Sequence, residues 1–270
     1  MTAERSSSTQ SEKEFAWSAA AKPLAKSSSA RLKLGPCLLL GLAVGAIIFD
    51  FDGVIADSEA LANTVLAEFV TNLGHPTTLD DALERYCGRR WDDVLVAIEA
   101  AAGRPLPADF SDNLRLATLD RFRSDLREVS GATDFIRRFC DVPRCIASSS
   151  SLDRLRLCLA ILGLENSFGD NVFSADLVRR GKPHPDIFLF AARKLAVDPA
   201  SCLVIEDSTG GIKAAVAAGM TTVGLCAASH IRPRHHLSLR DAGATHLAHS
   251  WDEVAAFAKL FLDRASGLRV

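Results

Sequence analysis

Asp50 and Asp52 stand two residues apart where the apolar run Ile47-Ile48-Phe49 stops, and Gly53 follows at once. A strand alternates its side chains with a period of two, so this spacing puts both carboxylates on one side at the strand's end. Like charges so placed need a cation or a shared proton. The pair suits an enzyme that forms an aspartyl-phosphate, one carboxylate attacking phosphorus while the other handles the leaving-group proton. An acidic strand-to-turn junction is the plainer reading of the segment taken alone. Gly53 adds a tight turn where the backbone can approach a ligand with no Cβ in the way.

Three further polar groups stand ahead of helical patterns. Ser148 ends one and is followed by Ser149, Ser150 and Ser151 ahead of a helical pattern. A hydroxyl with free N–H groups at a helix N-terminus is a natural phosphate site, although serines there are also ordinary N-caps, and at least one of these is expected to be a cap alone. Gly181-Lys182-Pro183-His184-Pro185-Asp186 sets a lysine on a stiffened loop before a helix whose first turn accepts Pro185. Lys182 can neutralise a phosphoryl group and a nucleophilic carboxylate; taken alone, a lysine is more often a solvated side chain. His184 has no evident catalytic partner and reads as loop structure. Glu206-Asp207-Ser208 closes the apolar run 203–205. Asp50, Asp207 and a backbone carbonyl near Asp52 together make a hard oxygen site suited to Mg²⁺, an ion that screens the carboxylates and polarises a phosphate. Gly210-Gly211 then starts a small-residue helix expected to end at Gly219 as a C-cap.

The elements that must position these groups alternate. Runs at 44–49, 144–147, 171–174, 202–205, 221–226 and 245–248 read as strands, and 151–163, 185–196, 209–218 and 251–264 as amphipathic helices. This implies an α/β fold with a parallel sheet covered by helices on both faces. Ligands of such sheets bind at the carboxyl ends of the strands, where Asp50, Ser148 and Asp207 arrive. Region 60–130 reads as helices alone, at 60–73, 78–86, 92–101 and 111–127, with Gly74, Gly88 and Gly103-Arg104-Pro105 between them. Inserted after the Asp50 loop, it is expected to lie over the strand ends as a lid that excludes water and reads the substrate. A long crossover connection is the alternative.

Composition narrows the function classes. The chain has 270 residues, 48% hydrophobic and 24% charged, as expected of a globular enzyme with one large domain or a core and a smaller one. A net charge of −2 gives no argument for nucleic acid or an anionic membrane, and Tyr86 is the single tyrosine, so no base-stacking surface is visible. The seven cysteines are odd in number and form no C-x-x-C pair. They point to reduced, mostly buried thiols rather than disulfides or a zinc site, and hence to a cytoplasmic protein. Residues 1–43, rich in Ser, Ala and Lys, read as a disordered extension. Arg31 and Lys33 precede an apolar run that imitates a signal peptide. Cleavage near Ala46 would fall inside the strand that carries Asp50, and the run is too short to span a membrane.

Taken in order, D-x-D-G-V, the strand ending in Ser148, Lys182-Pro183 and Glu206-Asp207-Ser208 resemble the haloacid dehalogenase-like hydrolase superfamily, in its β-phosphoglucomutase-like and small sugar-phosphate phosphatase branch, over about residues 45–250. The resemblance implies a Rossmann-like catalytic core at 44–59 and 129–270, a small α-helical cap domain at 60–128, and Mg²⁺-dependent phosphoryl transfer. By position it implies Asp50 as nucleophile and Asp52 as general acid/base. It implies phosphate contacts from Gly53, Ser148, Ser149 and Lys182, and metal ligands from Asp50, the Asp52 carbonyl and Asp207, with Glu206 as an added acidic group. An aspartate at position 52 argues against a dehalogenase, which has no use for a proton shuttle there.

Mutases of this branch read D-S/T-x-x-x-H after the first motif, whereas this chain reads Asp57-Ser58-Glu59-Ala60-Leu61-Ala62. Alanine stands where their histidine would be, and Cys87-Gly88-Arg89-Arg90-Trp91 departs from their G-x-S-R pattern. A phosphatase is therefore favoured over a phosphosugar mutase. Glu59, Arg89, Arg90 and Trp91 are candidate substrate contacts; alternatively the arginines are exposed and Trp91 packs within the cap. The run Ser229 to His236 reads as a basic surface loop that could border the site mouth, and its adjacent histidines do not face one ion on a helix. The expected partner is a small phosphorylated sugar, sugar acid or polyol, with no nucleic acid and no membrane, bound by a monomeric chain whose oligomeric state the sequence does not set. A non-enzymatic binding protein on the same fold is the other class, and the presence of both Asp50 and Asp52 counts against it.

Overall fold

The computed structural model describes residues 45–265; the expected extension at 1–43, Cys37 with it, lies outside them, as does the expected strand start at 44. In chain order the elements are β1 (Ala46–Phe49), α1 (Glu59–Asn72), α2 (Leu79–Arg85), α3 (Trp91–Ala102), α4 (Phe110–Asp125), α5 (Ala132–Arg138), β2 (Arg144–Ser148), α6 (Leu152–Ile161), β3 (Val172–Ser174), α7 (Asp186–Leu195), β4 (Cys202–Glu206), α8 (Thr209–Ala217), β5 (Thr221–Leu225), α9 (His235–Asp241), β6 (His246–Ala248) and α10 (Trp251–Ala265). The strands form a Rossmann-like sheet in the order β3-β2-β1-β4-β5-β6, parallel throughout. The chain winds outward from β1 to β3, then returns to β4 on the other side of β1. That switch point opens a crevice at the carboxyl ends of β1 and β4. Phe49 pairs with Ile205 across it, and the Asp50 N–H donates to the Ile205 carbonyl at 2.9 Å. The two acidic segments thus leave the sheet side by side.

The apolar strands read as continuous runs because both faces are buried. On one face Ile47 and Phe49 meet Phe135, Leu155, Phe168, Trp251 and Val254, contributed largely by α5, α6 and α10. On the other, Ala46 and Ile48 meet Ile187, Phe188, Ala191, Ala214 and Ala215 from α7 and α8. The Phe49 ring stands edge-on to Phe135 and Phe168, with centroids 5.9 and 5.7 Å away.

The helices α1–α4, inserted between β1 and β2, bury a cluster of their own: Val65, Leu66, Val70, Ala82, Tyr86, Val94, Ile98, Phe110 and Leu114. At the end of α4, Phe122 and Leu126 cross over to the sheet's cluster. Thr78 and Asp81 close a capping box on α2, each side chain bonding the other's backbone N–H. Most element bounds fall within one or two residues of the sequence reading. That reading does not include α5 and α9, whose seven residues each carry too few turns for a periodic signal. Gly219 follows the C-cap of α8 at φ +76°, as a residue in the left-handed region does.

Candidate active site

Asp50 leaves β1 beneath a lysine from a distant loop. Lys182 Nζ lies 2.5 Å from Asp50 Oδ1 and 2.6 Å from Glu206 Oε1, and all three side chains are nine-tenths or more buried. Burial works against the charge on Lys182, but Asp50 and Glu206 outweigh it and hold the ammonium well above its usual range. Burial drives the Asp50 carboxyl well above the usual carboxylate range; Lys182 pulls it down, and Glu206 and Asp207 push it up again. Asp207 is driven up by burial and by Glu206 and Glu59. Asp50, Glu206 and Asp207 each offer an oxygen within 4.8 Å of the others. Three hard, crowded carboxylates whose mutual repulsion is relieved in part by one ammonium fit a divalent cation.

Two glycines make room for these acids. Gly53 has φ +76°, and a Cβ on it would lie 1.9 Å from Asp207 Oδ2. A Cβ on Gly211 would lie 1.6 Å from Glu206 Oε1. Glu206 is also fixed by the Ser208 N–H and Oγ, which donate to Oε2 at 2.7 and 2.9 Å.

Asp52 has a separate set of partners, whereas the period of two predicts both carboxylates on one side at the strand's end. Ser58 Oγ and Ser150 Oγ donate to it at 2.5 and 2.6 Å, and the Arg154 guanidinium at 2.6 Å. The strand ends at Phe49, so its alternation no longer governs where Asp52 points. Burial raises the Asp52 carboxyl, yet Arg154 and the two serines outweigh burial and lower it below its usual value. Arg154 lies over the Phe122 ring, 5.0 Å from its centroid.

Of the four serines, Ser148 is buried and its Oγ accepts from the Ser150 N–H at 3.1 Å. Ser149 is exposed, and Ser151 takes the N-cap position of α6 without a side-chain cap bond. The Lys182–Pro183 peptide bond is cis, and His184 is exposed in the turn, its N–H bonded to the Gly181 carbonyl.

Among the tentative substrate contacts, Glu59 opens α1 and meets Asn63 Nδ2 at 3.3 Å and Cys87 Sγ at 3.5 Å. Burial raises its carboxyl, and Asp52, Arg154 and His230 lie close enough to act on it. Arg89, Arg90 and Trp91 are exposed and bond within the helical block: Arg89 to the Arg85 carbonyl, Arg90 to Asp92, and Trp91 Nε1 to Ser111 Oγ. The structure does not bring these three to the acids.

The run after β5 is more than a surface loop. Asp57 Oδ1 accepts from the Ser229 N–H and Oγ at 3.0 and 2.8 Å, drawing the segment over the acids. His230 is thereby buried, with Nε2 3.2 Å from Asp207 Oδ2, and burial lowers its basicity. His235 Nε2 lies 2.6 Å from the Asp207 carbonyl oxygen, and Arg232 pairs with Asp80 at the start of α2.

Sequence reasoning thus missed Ser58 and Arg154; it named Ser150 only within the serine run, and His230 and His235 only within a loop that could border the site mouth. The one local signal was Arg154, a helical turn after Ser150. The thiols among the described residues are free: Cys145, Cys158 and Cys202 are buried and Cys140 is exposed. Burial pushes Cys158 and Cys202 up to about 12 and Cys226 to about 11, so they stay un-ionised.

Known proteins resemble this chain in sequence and fold. The family model for haloacid dehalogenase-like hydrolases matches residues 44–219. The 6-phosphogluconate phosphatase of Escherichia coli (strain K12) is 24% identical over 194 residues, covering 72% of this chain and 87% of that protein. Hexitol phosphatase B of the same organism is 31% identical, covering 66% of this chain and 82% of its own. The crystal structure of a HAD family hydrolase from Deinococcus radiodurans R1, with bound phosphate and sodium, superposes with a TM-score of 0.70 at 34% identity, covering 82% of this chain and 98% of that one. This chain belongs to the haloacid dehalogenase-like hydrolases, as a phosphoric monoester hydrolase.

Proposed function

We propose that this chain is a Mg²⁺-dependent phosphatase of a small phosphorylated metabolite, a sugar, sugar-acid or polyol phosphate, acting through an aspartyl-phosphate on Asp50. The observation that carries the reading is Lys182 bridging Asp50 and Glu206, with Asp207 alongside. The phosphatases named among its relatives and the phosphate in the Deinococcus hydrolase support it.

An Asp50 carboxylate oxygen attacks phosphorus, and the bond from phosphorus to the leaving oxygen breaks. Lys182 balances the phosphoryl charge and holds Asp50 in place, while Ser148 and the Ser149 N–H contact the phosphoryl oxygens; Gly53, whose own N–H donates to the Ala56 carbonyl, lets the backbone of its turn approach the phosphoryl group. Asp52, after leaving Arg154 and taking up a proton from solvent, gives that proton to the leaving oxygen, then takes one from the water that releases phosphate. A divalent cation held by Asp50, Asp207, the Asp52 carbonyl and Glu206 would neutralise the carboxylates and polarise the phosphoryl group. Residues 44–59 and 129–270 form the catalytic core, and 60–128 the cap that admits substrate by moving, since the acids are buried as they stand. A cytoplasmic setting goes with this reading, supported by the free thiols.

Ala62 packs against the sheet's core and offers no imidazole, which favours release to water over mutase chemistry. The test is phosphate release with Mg²⁺ across sugar, polyol and sugar-acid phosphates, with Asp50→Asn as blank. Release from a narrow set is expected. No release from any, or isomerisation of β-glucose 1-phosphate with a bisphosphate primer and no release, would overturn the reading.

A further inference from the structure

We infer that His236 and His249 form a surface site for a borderline-soft divalent cation of the Zn²⁺ or Ni²⁺ class. It is separate from the carboxylate cluster and independent of the phosphatase reading.

The two adjacent histidines that open α9 part company. His235 Nε2 lies 2.6 Å from the Asp207 carbonyl oxygen, so its ring belongs to the site already described. Side chains next to each other on a helix diverge, and His236 instead meets the ring of His249, in the turn between β6 and α10. Their ring centroids are 6.1 Å apart and the planes are inclined at 62°, so the rings are not stacked. Neither imidazole has a hydrogen-bond partner among the described residues. The other histidines at this edge of the sheet are committed. His230 Nε2 faces the Asp207 carboxylate at 3.2 Å, and His246 stacks on Phe257 with centroids 4.5 Å apart and planes at 4°. His236 and His249 are the pair left with nitrogens to offer.

The chemistry of the pair selects the ion. Imidazole suits Zn²⁺, Ni²⁺ and Cu²⁺, whereas Mg²⁺ takes oxygen and keeps several waters. With each ring nitrogen about 2.1 Å from a shared ion, two imidazoles have centroids roughly 5–6.5 Å apart. The observed separation falls within that span. His249 is exposed, which leaves room for water to complete the coordination sphere. The backbone under both rings is held. The His235 N–H donates to the Arg232 carbonyl at 3.1 Å, and the His249 N–H to Glu253 Oε2 at 2.8 Å. Groups positioned before the ion arrives lose little freedom on binding it. An ion on this pair joins the start of α9 to the turn that opens α10, one residue from the contact of His235 with Asp207.

The test titrates the untagged full chain with Ni²⁺ by calorimetry, with Mg²⁺ in excess to occupy the carboxylates, and follows the melting temperature in parallel. The wild type should bind a Ni²⁺ ion that His236→Ala and His249→Ala each abolish, together with the rise in melting temperature that the ion brings. His184→Ala, at an exposed histidine on another loop, should leave both readouts unchanged. Because the two rings share one ion, the double variant should lose no more than either single one. His249→Asn keeps a polar side chain and should show the same loss, which separates loss of the ion from loss of the fold. No Ni²⁺ bound by the wild type, binding unmoved by either substitution, or losses that add in the double variant would overturn the inference.

Discussion

The Arg154 guanidinium reaches the Asp52 carboxylate at 2.6 Å, and the same group lies over the ring of Phe122 near the end of α4. The second acid of the D-x-D pair is thus tied to α6 and to the helical block by one side chain, while Asp50 is tied to Lys182. The two environments drive the carboxyls in opposite directions, Asp50 up and Asp52 down; the roles of nucleophile and acid need the reverse, which a cation beside Asp50 would supply by favouring its ionised form. Held by an arginine and two serines, Asp52 is ionised. It must leave Arg154 before it can protonate a leaving oxygen.

Arg154→Met should therefore destabilise the protein at pH 7 by about 1–3 kcal/mol, the cost of leaving a mostly buried hydrogen-bonded acid short of its partner. The Asp52 carboxyl is lowered in the folded state, so its contribution is full above the unfolded value near 4 and is lost as pH falls through the folded one. The gap between wild type and variant should close as pH falls below about 4. Thermal melts across that range check it; a gap independent of pH would refute the electrostatic account.

Lys182→Met should cost more, about 3–5 kcal/mol, because two buried acids lose their ammonium at once. Phosphatase activity should fall at least about a hundredfold. Urea unfolding and phosphate release on the same preparation check both. Retained activity would remove Lys182 from the mechanism.

Much of this was legible in the chain. Strands buried on both faces are short apolar runs, and the polar groups that end them, Asp50, Ser148 and Asp207, had to arrive at one edge of a parallel sheet. The contact between Arg154 and Asp52 was not legible, because it joins residues 102 apart through the packing of α6 beside β1. His230 was hidden for a related reason. Its neighbours in sequence are polar and basic, and it is buried through the Asp57–Ser229 tether, across 172 residues. For Arg89 and Arg90 the sequence left two readings open, and both are exposed: charge near a turn does not say which way it faces.

Mg²⁺ should raise the melting temperature, and by more at pH 8 than at pH 5. Asp50 and Asp207 have raised carboxyls, so in metal-free protein their contribution to stability declines as pH rises above the unfolded value near 4. A cation competes with those protons and binds best when they are gone. Scanning fluorimetry with and without Mg²⁺ at both pH values checks this, and an equal or larger shift at pH 5 would contradict it.

Gly53→Ala should abolish the Mg²⁺-induced shift and lower activity by at least about a hundredfold. The new methyl would stand where Asp207 Oδ2 now lies, at a φ of +76° that alanine resists. The far-ultraviolet circular dichroism should be unchanged, which separates loss of the site from loss of the fold.

Phe49→Ala, by contrast, should weaken the fold by about 3–5 kcal/mol through the cavity left among Phe135, Phe168 and Trp251. Urea denaturation checks it. A loss below about 1 kcal/mol would mean that this ring cluster collapses to fill the space.

Gly45, just ahead of β1, lies against the last turn of α10: a Cβ on it would meet Leu262 Cδ2 at 3.0 Å and Ala265 Cβ at 3.5 Å. The two ends of the described chain therefore come together at the amino edge of the sheet. Asp50 is at the opposite edge, five residues on, roughly 16 Å at the rise of an extended strand. For the protein engineer, residues 45–265 taken alone would make a body whose two ends are neighbours. A short peptide could join its ends, new ends could be opened in an outer loop, and a tether or reporter attached at the old seam would stand clear of the entrance.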